Sequence, residues 1–72
     1  MKRASKLDQK IGEKIRANRI SKKRSRVWLG KQIDRSYQQI QKYETGKDRI
    51  AASCLASIAE ALETEISLFF PG

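Results

Sequence analysis

An all-α fold, a compact bundle of five short helices with no sheet, is what this chain predicts, and three observations carry it. Apolar residues recur at helical spacing, as in Ile11/Ile15, Leu29/Ile33, Ile40/Tyr43 and Leu55/Ile58/Leu62. Alternation of period two and Gly/Asn hairpin turns are both absent. Cap-forming residues precede three of the runs (Asp8, Ser25, Ser36), while Gly46 and Pro71 stand where helices should stop.

Residues 1–7 are basic and lack periodicity, so they read as a flexible N-terminal arm ahead of a domain at 8–70. Asp8 is then the expected N-cap of a first helix whose Ile11, Ile15 and Arg19 share one stripe. The run Ser21-Lys22-Lys23-Arg24 breaks the pattern and predicts a basic loop. Ser25 caps a second helix with Leu29 and Ile33 inward, and Asp34-Arg35 form the turn to a third helix that Ser36 caps and Gly46 ends. A charged connection, Lys47-Asp48-Arg49, leads to a fourth helix beginning near Ile50, with Leu55, Ile58, Ala59 and Leu62 inward. A short fifth helix around Ile66, Phe69 and Phe70 is stopped by Pro71.

Charge is polarised along the chain. All 16 Lys and Arg lie in residues 1–49 with 5 of the 8 acids, a formal +11, and the other 3 acids leave −3 for residues 50–72. Such a field favours phosphate, with affinity falling steeply as salt rises because binding releases condensed counterions; the plainer alternative is a solubilising surface. No run approaches the ~20 apolar residues of a membrane span, and none has the sustained apolar face of a membrane-lying helix. With no histidine, metal and His-based sites have almost no material, so no cofactor and no enzymatic activity are expected. Cys54 has no partner for an internal disulfide and no basic neighbour in sequence, and reads as a small helix residue. Met1-Lys2-Arg3 leads into polar residues rather than an apolar leader, which predicts a cytoplasmic protein.

The third helix is the most informative segment. Its outer face would carry amides and a lysine, whose donors and acceptors match adenine N6/N7 and guanine O6/N7 in a major groove. Arg19 and Glu44 continue the inward stripes of the first and third helices, so opposite charges are expected to meet there.

Residues Ser25 to Gly46 resemble the helix-turn-helix (about 25–45) of the lambda-repressor-like family, the Xre/Cro group. The flanks agree, with Ile11-Gly12 and Ile15-Arg16 before it and Leu55, Ile58-Ala59, Leu62 and Ile66 after it, so the resemblance covers about residues 8–70. Tyr37 to Glu44 is similar to a bacterial subgroup in which Gly30 also replaces the commoner Ala. The resemblance implies a sequence-specific regulator of transcription, a repressor in its simplest form, bacterial or phage in origin. It would insert the helix at about 36–45 into the major groove and bind an inverted repeat of double-stranded DNA as a homodimer. The same fold also serves antitoxins and restriction-type controllers, whose main ligand can be a protein such as a toxin.

Carried over by position, the base contacts are Tyr37, Gln38, Gln39, Gln41 and Lys42. Ser25, Arg26, Ser36, Tyr43, Thr45, Lys47 and Arg49 become the phosphate contacts. The resemblance also implies the Arg19–Glu44 salt bridge, and scale with apolar content points to a dimer interface at Leu62, Ile66, Leu68, Phe69 and Phe70, with one of the two phenylalanines closing the core instead. Four positions depart from the family: Asp34 and Glu63 where left-handed Gly is usual, Arg35 in place of a small apolar residue, and Ala51 in place of a capping Ser or Thr. Trp28, where a charged residue is usual, is open to DNA sugar, a partner or cation–π contact with the Lys22–Arg24 loop.

Overall fold

The computed structural model describes residues 5–71. Among them are four α-helices, α1 (Lys6–Ser21), α2 (Arg26–Ile33), α3 (Tyr37–Glu44) and α4 (Ala52–Ala61), then a single 3-10 turn at Ile66–Phe69. The fifth element is therefore not an α-helix. Four residues between Glu65 and the extended Phe70, with Pro71 behind them, leave room for one tight turn only.

α1 begins earlier than Asp8 suggests. Ser5 is the N-cap: its side chain accepts from the Asp8 amide, and the Asp8 carboxylate accepts from the Ser5 amide at 2.8 Å. This reciprocal capping box takes residues 5–7 out of the expected arm, whose remainder, residues 1–4, lies outside the described residues. Ser25 and Ser36 cap α2 and α3 by the same chemistry, accepting from the amides of Trp28 and Gln39. Ala51 leaves α4 without a side-chain cap.

The core gathers Ile11 and Ile15 of α1, Leu29 of α2, Ile40 and Tyr43 of α3, Leu55, Ile58 and Leu62 around α4, and Phe69. α1 packs on α3, α2 packs on both α3 and α4, and the 3-10 turn touches both α1 and α4. Close packing depends on two glycines. A Cβ on Gly12 would strike the Tyr43 carbonyl oxygen and lie 2.8 Å from that of Glu44. One on Gly30 would strike the Arg35 carbonyl oxygen, which explains the missing alanine there. Glycine is thus what lets α1 reach the end of α3 and α2 reach its start.

Left-handed backbone occurs at Lys23, Asp34 and Glu63, with φ of 59°, 60° and 54°, as well as at Gly46. Asp tolerates this conformation better than Glu does, because its short side chain bonds locally. We therefore expect Asp34→Gly to raise Tm by a few degrees and Glu63→Gly by more, each relieving about 1 kcal/mol of strain, at about 4–8 °C per kcal/mol in so small a domain. Thermal unfolding followed by circular dichroism tests this; an unchanged Tm for both would mean that neither turn holds strain.

A charged side chain supplies a cap that the sequence left unsuspected. Lys22 Nζ donates to the Leu62 carbonyl at 2.6 Å and to that of Glu63 at 3.3 Å, placing an ammonium on the C-terminal end of α4. It ties the end of α1 to the end of α4.

Candidate nucleic-acid interface

α3 divides into two arcs. Ile40, Tyr43 and Glu44 are buried, while Tyr37, Gln38, Gln41 and Lys42 are exposed. At 100° per residue those four exposed positions fall within one arc, leaving a continuous polar surface of two amides, an ammonium and a phenol. No groups on that arc are committed to hydrogen bonds within the described chain.

Several expected contacts are redirected. Gln39 is half-buried, and its Nε2 donates to Asp48 Oδ2 at 2.9 Å, so it fastens the following loop to α3 instead of facing outward with the other amides. Tyr43 is only 7% exposed and belongs to the core. Burial pushes its hydroxyl above the ordinary tyrosine pKa; the Cys54 thiol beside it adds to the rise and the Arg35 guanidinium opposes it. Thr45 spends its hydroxyl proton on the Gln41 carbonyl at 2.8 Å, which leaves only lone pairs outward. The hydroxyls of Ser25 and Ser36 accept from their own helices and keep a free proton. Lys47 and Arg49 are exposed, with Arg49 Nε 3.7 Å from Asp8 Oδ2.

Glu44 is the electrostatic centre. Its side chain is fully buried, Arg19 binds it in bidentate fashion at 2.7 and 3.1 Å, and Arg19 Nη1 donates to the Arg24 carbonyl at 2.7 Å. The structure thus brings Arg19 and Glu44 together, and it adds Arg26, whose Nε donates to Glu44 Oε1 at 3.0 Å. Arg26 is accordingly not a freely swinging surface cation.

At the other end of the domain, Leu62 and Phe69 are core residues and leave the expected dimer face, whereas Ile66, Leu68 and Phe70 stay exposed. Trp28 packs against the core edge and carries the Arg24 guanidinium 4.5 Å above its ring, a cation–π pair. Among the described residues no helix is long and apolar enough to cross a membrane, and no cluster of three or more potential metal ligands occurs.

The arrangement of α2, turn and α3, with a capped outward-facing helix braced from behind, defines a helix-turn-helix domain of the lambda-repressor-like fold. No family model matches the chain. By sequence it is similar to an HTH-type transcriptional regulator of Rickettsia prowazekii, 46% identical over 67 residues, which span 93% of this chain and 52% of that protein. It is also similar to a transcriptional regulator in the ATPase CF(0) region of Rhodospirillum rubrum, 42% identical over 64 residues, 89% of this chain and 59% of that one. The chain therefore spans little more than half the length of these relatives. In structure it is similar to the clp gene regulator ClgR of Corynebacterium glutamicum (TM-score 0.85, 22% identity, 88% of this chain and 82% of that one). It is equally similar to about a third of an enzyme, the hydroxypropylphosphonic acid epoxidase of S. wedmorenis (TM-score 0.84, 20% identity, 90% of this chain and 35% of that one). Likeness at such identities establishes the fold alone. The chain has a helix-turn-helix fold, and the relatives it matches in sequence carry the names of uncharacterised transcriptional regulators.

Proposed function

We propose that the chain acts as a sequence-reading, double-stranded DNA-binding domain of a transcriptional regulator, with α3 lying in the major groove. The observation that carries this reading is the free arc of Tyr37, Gln38, Gln41 and Lys42 on a helix whose other side is locked into the core. Gln38 and Gln41 suit adenine, Lys42 suits guanine, and the Tyr37 ring suits a thymine methyl. Ser25, Arg26, Ser36, Lys47 and Arg49 are the phosphate contacts in this reading, and the formal +11 of residues 1–49 supplies the long-range attraction.

One domain of this size touches too few bases to select a site, so a second copy is part of the proposal. Ile66, Leu68 and Phe70, the last two 58% and 43% exposed, form its apolar seat, and two domains related by a two-fold axis would meet an inverted repeat. A bound dimer would act as a repressor by blocking access to the DNA it covers.

Selection from a random duplex pool at ~150 mM salt, followed by sequencing, tests the reading. An enriched inverted repeat is the expected result. Enrichment of a single half-site would remove the dimer. No enrichment would remove sequence reading and leave a protein partner, as for an antitoxin or a controller, as the source of specificity.

A further inference from the structure

Arg26 differs from the other exposed basic residues because a buried acid holds it. Glu44 Oε2 takes Arg19 Nε, and Glu44 Oε1 takes both Arg19 Nη2 and Arg26 Nε. Every nitrogen of Arg19 is engaged, with Nη1 on the Arg24 carbonyl, and its side chain is 9% exposed. Arg26 is not fully engaged. Its hydrogen bonds among the described residues use Nε alone, and its side chain remains 30% exposed. The trio carries one net positive charge, and Arg26 presents it at the surface.

Resting on the duplex-binding reading, we propose that Glu44 is a positioning residue for Arg26. It grips the guanidinium by Nε, from α3, so that the two Nη groups of an α2 residue form a preset fork for one DNA phosphate. The Nε–Glu44 bond persists in the complex. A free surface arginine loses rotamer freedom when it docks on a phosphate, and this one has already lost it in the folded protein. The planar fork matches phosphate oxygens in pairs, whereas a lysine supplies charge without direction. The core salt bridge and the DNA contact thereby become one structure.

The full chain is tested against a short mixed-sequence duplex by fluorescence anisotropy over a KCl series. Arg26→Gln is expected to lower the slope of log K against log salt by about 0.9. Arg26→Lys is expected to keep the slope but to weaken binding about five- to tenfold at every salt concentration. A Lys variant binding as tightly as the wild type would overturn the positioning role while leaving the duplex reading intact. No duplex binding by the wild type at any salt would overturn both. Because Glu44 variants threaten the fold, the second measurement uses the wild type: the Arg26 Nε–Hε resonance in a 15N-labelled sample. It is expected to be protected from exchange in the free protein and to remain so with duplex added. Its disappearance on adding duplex would show Arg26 leaving Glu44 for the phosphate, and would overturn the proposal.

Discussion

Glu44→Gln is expected to cost the domain about 3–5 kcal/mol, because it strands two guanidiniums against each other, one of them in a nearly closed site. That is a large share of the ~5 kcal/mol typical at the low end for small domains, so a fraction of the variant should be unfolded at 25 °C. Arg19→Met should cost less, since Arg26 still faces the carboxylate, and Arg26→Gln less again, about 1 kcal/mol or below, because that side chain is partly in water. The order of the three, measured by urea unfolding, separates a shared buried centre from independent surface pairs. A double-mutant cycle between Arg19→Met and Glu44→Gln should return a coupling of about 1–3 kcal/mol, and zero coupling would sink the account.

Gly12→Ala should be the other severe change, and its sign is the test. In an exposed helix the substitution would stabilise by about 1 kcal/mol through backbone entropy. Here the added methyl meets two backbone carbonyl oxygens at the end of α3, groups that cannot swing aside as a side chain would. α1 and α3 would have to part. The net loss is expected at the upper end of the ~1–3 kcal/mol of overpacking, or beyond, read as a fall in the urea midpoint. A rise in the midpoint would mean that the two helices do not approach so closely.

Much of the α3 arrangement was legible in the sequence. Ser36, Ile40 and Gly46 mark its cap, core side and end by local rules, and these rules also set Tyr37, Gln38, Gln41 and Lys42 on the outside. Arg19 and Glu44 could be paired because each prolongs an apolar stripe. Asp34 in left-handed backbone and Ala51 without a cap bond also follow the reading. What escaped was tertiary. The Lys22 bonds to Leu62 and Glu63 span forty residues, and nothing near Lys22 distinguishes it from Lys23. The bond between Gln39 and Asp48 depends on how the loop after α3 folds back, and that between Arg26 and Glu44 on how α2 crosses α3. Composition cannot say either. Ser5 is hard to single out for a local reason: Asp8, three positions later, is itself a good cap residue and competes with it for the start of the helix. The sequence places Leu62 both on the inward stripe of the fourth helix and at a dimer face, and does not say which of Phe69 and Phe70 closes the core; in the structure Leu62 is buried, and the 3-10 turn, reaching both α1 and α4, encloses Phe69 completely.

Everything that holds α3 in place lies off its outward arc: the Ser36 cap, Ile40, Tyr43, Glu44 and the Thr45 bond to Gln41 are all elsewhere on the helix or use its backbone. The outward side chains are therefore thermodynamically idle, free to drift without a stability toll. Single substitutions at those positions are expected to leave the domain folded, whereas the glycines and the buried charges behind the helix tolerate almost no change.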